Sequence, residues 1–338
     1  MPQKISITAT LSSREIKAVI YNPRAVCDNQ LAVRRRHGLD FLGKFLAAGR
    51  RDMDIVQEYI KDVEKIAPCP QVALDVLSVA HEADCSIPVL SGKIEQDPAL
   101  TANMLHMANS AYFGHRKKIT SVKDIIVRLG LETVKIIAIT SASVGLLKSS
   151  HDAYALGRGE LWRHSFAVAT LAGIIARYAK ARDASAIFTA ALLHDVGKVI
   201  LDRPLRLESY NRASSGEDET MIAVERRLLH TDHAVVGMAL LEKWGLPESV
   251  HVPVGLHHDL SQPRAKRLGV KIVHLANALV HLTDYDSEND EDFFFDVLAF
   301  ENKKAGFPDV PNFSSNMRLI IEEFVEKYRE TAAVFDLH

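Results

Sequence analysis

Apolar residues recur at intervals of three and four along most of the chain, and no run of strict alternation is flanked by hairpin turns. That periodicity predicts an all-α, multi-helix fold. Residues 10–66 give three short helical candidates, the clearest from Asp52 to Ile66, where Ile55, Val56, Tyr59, Ile60 and Val63 form one stripe. Pro68 and Pro70 end it, because proline restricts its predecessor and lacks an amide proton. Helices are expected over Gln71–Ala80 and Ile87–Glu95, then from Pro98, with Asp97 as the side-chain acceptor for its first amides. Ser121 caps the next, which turns Val122, Ile125, Ile126 and Leu129 inward, and Gly130 separates it from an apolar helix over Val134–Leu147.

After the hydrophilic stretch KSSHDAYALGRGE, helices are expected over Glu160–Ala179, Ala184–Leu201, Thr220–Leu229, Asp232–Trp244, Pro247–His257 and Arg267–Leu282. SYNRASSGEDE reads as an exposed loop and SENDEDFFF as the start of an acidic tail, before an amphipathic helix from Arg318 to Tyr328. This organisation divides the chain into an amino-terminal extension (1–61), a helical subdomain (62–150), a second helical subdomain (151–285) and a carboxy-terminal extension (286–338). No repeat of solenoid period is evident.

Bulk properties narrow the class without fixing it. At 338 residues, 47% hydrophobic and 25% charged, the chain can build a core without staples. Its three cysteines, Cys27, Cys69 and Cys85, are widely spaced and fit a reducing compartment better than a cysteine-built zinc site. The amino terminus lacks an apolar run of signal length, and charge breaks the later apolar stretches, so a cytoplasmic protein with no membrane span is expected. A formal net charge of -2 gives no general reason to hold nucleic acid. The cluster Arg34, Arg35, Arg36 and His37 is the local exception, read more simply as a solvated turn.

Candidate chemistry lies in the imidazoles of the second half. His164 shares a stripe with Val168, Leu171 and Ile175, an unusual address for a polar ring, which must find hydrogen bonds or a ligand there. His194 and Asp195 are adjacent in TAALLHDVGKVI; on a continuous helix they point about 100° apart and could meet one metal, or bridge two, only if that helix passes beside the site. Gly197 removes bulk nearby, and Lys198 could reach an anionic substrate. His233 sits in a first helical turn, His257 and His258 end the following helix, and Asn277 lies on the next. Nitrogen and carboxylate ligands in this mixture suit zinc, iron or manganese, one or two ions, more than calcium or magnesium. Fifteen histidines make chance coincidences common. His274 and His281, which flank Asn277 at helical spacing, read as such coincidences.

In order and spacing, APCPQVALDVLSVA, IEQDPALTANMLHMANSAYFG, ITSVKDIIVRLG, LWRHSFAVATLAGIIA, FTAALLHDVGKVIL, HAVVGMALLEKWGLP and the histidine doublet resemble the HDOD family over about residues 62–283. These proteins are relatives of the metal-dependent HD phosphohydrolases and of the HD-GYP phosphodiesterases. The resemblance implies an all-helical HD-domain-like fold and a role in bacterial signal transduction, often without catalysis. It implies His164, His194, Asp195, His233, one or both of His257 and His258, and Asn277 as metal ligands, with Asp195 bridging where two ions are held, and Asp195 and Lys198 as catalytic residues. Two departures stand out. Asn277 replaces the carboxylate expected last, and HHDLS lacks the glycine-tyrosine-proline element of the cyclic-dinucleotide enzymes.

Two readings follow. In the first, a regulatory module with little or no catalysis binds a protein partner through its first helical block. In the alternative, a metal-dependent phosphohydrolase acts on nucleotides or other phosphate esters. The segment NSAYFG, Asn109–Gly114, is read as a tight interhelix turn in which Asn109 and Ser110 cap backbone groups.

Overall fold

The computed structural model describes residues 55–61, 86–109, 118–211, 219–282 and 308–335. Among these there is no sheet, only an isolated antiparallel bridge between His151 and Leu156. A helical stretch at 55–61 buries Val56 and Ile60. The first block then follows: α1 (Ile87–Glu95), α2 (Pro98–Ala108) and α3 (Val122–Leu147). The second comprises α4 (Glu160–Tyr178), α5 (Ala184–Leu192), α6 (Val196–Asn211), α7 (Met221–Leu229), α8 (His233–Lys243), α9 (Glu248–Leu256) and α10 (Leu268–Leu282). The carboxy-terminal helix α11 runs from Phe313 to Phe335, longer at both ends than its periodicity suggests. The Gln71–Ala80 helix, the arginine cluster, most of NSAYFG, the centre of SYNRASSGEDE and the SENDEDFFF stretch lie outside the described residues.

Local chemistry accounts for most helix starts. Asp97 Oδ1 accepts from the Leu100 amide at 3.0 Å, and Ser121 Oγ from the Asp124 amide at 3.0 Å. Asp183 and Asp232 do the same for α5 and α8, each satisfying an amide that has no partner within its helix. Gly130 breaks α3 with φ 77° and ψ 165°, backbone that a side chain disfavours. Asn109 clamps the end of α2: its amide nitrogen donates to the Leu105 and Ile119 carbonyls at 2.7 and 2.8 Å, and its oxygen accepts from the Ile119 amide at 2.7 Å.

Helix α4 is the central strut and packs against α5, α10 and α11. Its buried set, including Trp162, Phe166, Val168, Leu171 and Ile175, joins one apolar cluster that runs from Leu90 and Ile125 in the first block to Phe324 in α11. Helix α5 links the blocks by packing on both α3 and α4.

The continuous helix expected over Ala184–Leu201 is instead two. Helix α5 ends at Leu192, Leu193 leaves helical geometry at φ -101° and ψ 6°, and α6 starts at Val196. The apolar period runs through the break, so the pattern alone cannot show it. Counted as one stretch, Ala184–Glu208 is long and apolar enough to cross a membrane, contrary to the expectation that charge interrupts every such run. Its apolar window is 89% buried inside the fold, and the turn at 193–195 divides it; its apolarity serves the core.

Candidate metal centre

The break between α5 and α6 creates the site. His194 and Asp195 occupy the turn, where the 100° divergence of neighbouring helical residues does not apply, and His194 Nε2 lies 3.3 Å from Asp195 Oδ2. The turn holds its own geometry, because His194 Nδ1 bonds the Ala191 carbonyl at 2.7 Å. Directly beyond, Gly197 lets α6 begin against the start of α8. A Cβ there would stand 2.0 Å from the His233 carbonyl oxygen, so only glycine permits this approach.

Four further elements complete the cluster. Helix α4 contributes His164, whose Nε2 lies 3.3 Å from His194 Nε2 and 3.7 Å from Asp195 Oδ2. The first residue of α8 is His233, with Nε2 3.2 Å from Asp195 Oδ1. At the end of α9, His257 Nε2 comes within 3.8 Å of the same oxygen, and His258 Nε2 lies 3.2 Å from that of His233. From α10, Asn277 Oδ1 approaches His164 Nε2 at 3.1 Å. Two candidate ligand sets result, His164–His194–Asp195 and Asp195–His233–His257–His258, each with its donor atoms within 4.8 Å of one another. Asp195 belongs to both. His164 and His258, one from each set, are partly exposed, while the other donors are buried.

The donor chemistry tests whether a cation fits. His194 and His257 each direct Nδ1 to a backbone carbonyl, at 2.7 and 2.6 Å. A ring held in this way keeps Nε2 as the atom it can offer as a ligand. Both Nε2 atoms face Asp195. Asp195 Oδ1 and His257 Nε2 are buried and accept no hydrogen bond in the protein. Lone pairs directed at one another in a desolvated space are costly unless a cation lies between them. The cluster is therefore capable of coordinating a divalent metal ion, and the carbonyl contacts that fix each ring are the outer support such ligands need.

Charge is managed around the carboxylate. Burial raises the Asp195 pKa, but the neighbouring His194, Lys198 and His233 overcome it and hold the group well below the carboxylate range. Lys198 Nζ, itself buried, bonds Asp195 Oδ2 at 2.6 Å. Burial pushes His164 down to about 3, aided by the neighbouring His194. Burial also holds His257 and His258 well below the imidazole range. His233 behaves oppositely: burial lowers it, yet Glu225 and Asp195 bring it up to about 9. With no ion bound, the His233 proton carries the positive charge these carboxylates demand.

Three neighbours escape a reading by spacing. Glu225 is buried and bonds His233 Nδ1 at 2.8 Å; the apolar Leu228 and Leu229 that follow it at three and four residues were its only sequence signal. His281, read as incidental, stacks on His164 with ring centroids 4.3 Å apart. His274, read likewise, bonds the His257 carbonyl at 2.7 Å.

Comparison with known proteins identifies the same fold. Among solved structures, an HDOD domain protein of unknown function from Geobacter sulfurreducens matches with a TM-score of 0.60 and 24% identity, covering 82% of this chain and 98% of that one. A protein from Shewanella amazonensis SB2B, provisionally named a phosphohydrolase, matches with a TM-score of 0.61 and 21% identity, over 80% of this chain and 97% of that one. These likenesses show the fold. An uncharacterised protein of Treponema pallidum (strain Nichols) is 24% identical over 230 residues, 66% of this chain, which spans 43% of that relative's length. The family model of the HDOD domain matches residues 66–260, and the chain belongs to the HDOD domain family.

Proposed function

We propose that the protein is a metal-dependent phosphohydrolase acting on nucleotides or other phosphate esters. One observation carries the reading: five imidazoles from three helices and a turn converge on one buried carboxylate, Asp195, whose Oδ1 accepts no hydrogen bond. Burying that many polar groups at one point opposes folding, and a purely structural role explains it poorly. The sequence alone ranks the non-catalytic regulatory module first; the near-complete ligand set favours the hydrolase.

His164, His194 and Asp195 would hold one ion, and Asp195, His233, His257 and His258 a second, with zinc, iron and manganese the candidate metals. Ions so held would activate water and offset charge on the phosphoryl group. Asn277 offers a neutral amide oxygen on the His164 side, so that half of the site carries less negative charge than a carboxylate would give it. Lys198 keeps Asp195 ionised and presents a cation beside the position a phosphoryl oxygen would take. The partly exposed rims at His164 and His258 give a substrate its approach from solvent.

The test is turnover by protein loaded in turn with Mn2+, Fe2+ and Zn2+ across a panel of phosphomonoesters, phosphodiesters and nucleotides. The reading predicts hydrolysis of at least one class, abolished by Asp195→Asn. No turnover of any class by fully loaded protein would return the molecule to the regulatory reading, in which an unidentified protein partner docks on the first helical block.

A further inference from the structure

Glu225 lies outside the ligand set and is fully buried, an expensive position for a carboxylate. The path of the chain explains how it gets there. Helix α7 ends at Leu229, His230 takes a left-handed conformation at φ 56°, and Asp232 caps α8 two residues later. This tight connection folds the last turns of α7 back over the first residue of α8. Glu225 Oε2 accepts the His233 backbone N–H at 2.9 Å, one of the amides a helix start leaves without an internal partner. Both carboxylate oxygens also lie within 2.9 Å of His233 Nδ1. The hydroxyl of Tyr154, in the short 3-10 turn Asp152–Tyr154, also donates to Oε1 at 2.8 Å.

Capping a helix does not require this arrangement, since Asp232 already caps α8 through the Val235 amide. The second contact, to Nδ1, decides where the ring points. An imidazole that donates from Nδ1 to a carboxylate leaves Nε2 as its ligand atom and gains basicity there. For His233, Nε2 is the atom 3.2 Å from Asp195 Oδ1.

We propose that Glu225 is a positioning residue for the metal centre. It fixes the orientation and tautomer of His233, while Tyr154 fixes the carboxylate. The inference rests on the metal-centre reading above and adds to it an outer support for one half of the site. Glu225 serves the His233–His257–His258 half, and no bond links it to His164 or His194.

The experiment titrates Mn2+ into full-length wild type and Glu225→Gln by calorimetry, with the metal-free melting temperature of each as the fold control. Glu225→Gln keeps the shape and removes the charge. Losing such an outer partner weakens metal binding by roughly 10- to 100-fold. The prediction is that loss for one of the two ions, with the other within about threefold, in protein that still melts cooperatively without metal; if wild type takes up a single ion, its affinity falls by the same factor. Equal affinities in the two proteins would overturn the role of Glu225 and leave the metal centre standing, whereas a wild type that takes up no Mn2+ would remove both. Should Glu225→Gln fail to fold, the nitrogen chemical shifts of the His233 ring in Zn2+-loaded wild type decide the matter. A proton on Nδ1 supports the proposal, and a proton on Nε2 overturns it.

Discussion

The two helical blocks share one apolar core but treat polarity in opposite ways. In α1–α3, polar side chains sit at helix ends: Asp97 and Ser121 cap, and Asn109 clamps two carbonyls and an amide. Ser141 is the one buried polar residue of that block among the described residues. From α4 to α10 the interior holds His194, Asp195, Lys198, Glu225, His233, His257 and Asn277. The first block spends its polar groups on local backbone satisfaction, which any helical scaffold needs. The second gathers charge where charge is destabilising unless it is paired or coordinates a metal.

That contrast can be broken most directly at Asp195, the residue common to both ligand sets. Asp195→Asn should weaken uptake of both ions by about two orders of magnitude or more, measured by equilibrium dialysis. Loss of one ion with the other untouched would mean that the two sets do not share the carboxylate.

Acid should separate the blocks next. His164, His257, His258 and His281 are kept neutral inside the fold, chiefly by burial, but they take up protons once unfolded, near their ordinary value of 6.5. Unfolding therefore binds protons, and stability falls as pH drops below about 6.5 toward 3. His233 works with the opposite sign: raised to about 9, its contribution is complete below 6.5 and fades as pH climbs through 9. Metal-free protein in chelator should show a melting temperature highest near pH 6.5, with the steeper fall on the acid side. A flat profile between pH 4 and 9 would contradict the buried-histidine account.

Glycine substitutions sharpen the comparison with smaller effects. Gly197→Ala drives a Cβ to 2.0 Å from the His233 carbonyl, and overpacking of this kind costs about 1–3 kcal/mol. Because the displaced residue is a proposed ligand, Mn2+ affinity should fall as well. Asn109→Ala removes the α2 clamp at a cost of about 1–2 kcal/mol and should leave metal affinity unchanged. The smallest effect belongs to Gly92 in α1, where a Cβ meets nothing within 4 Å. Gly92→Ala should gain about 0.5–1 kcal/mol of stability, read as a rise in the denaturant midpoint.

Legibility in the sequence follows the same division. Interactions confined to a few residues could be read directly: the Asp97–Pro98 start, the Ser121 cap and the Gly130 break each have a local cause. The order of the motifs pointed to the family and to which histidines to watch. The split of α5 from α6 was hidden, because Leu192, Leu193, Val196 and Ile200 keep the apolar period across it while tertiary packing and the His194–Ala191 bond set the turn. Glu225 and His281 were missed for a related reason: their partners, His233 and His164, come from other helices.

The central claim is that the cluster around Asp195 is built for a divalent cation. Elemental analysis of protein purified without added metal, paired with an anomalous scattering map from its crystals, tests it most directly. The account predicts transition metal at one or two equivalents per chain, with density between Asp195 and the rings of His194, His233 and His257. Protein that stays metal-free even after incubation with excess Mn2+, Fe2+ or Zn2+, with the same side chains in direct contact, would contradict it.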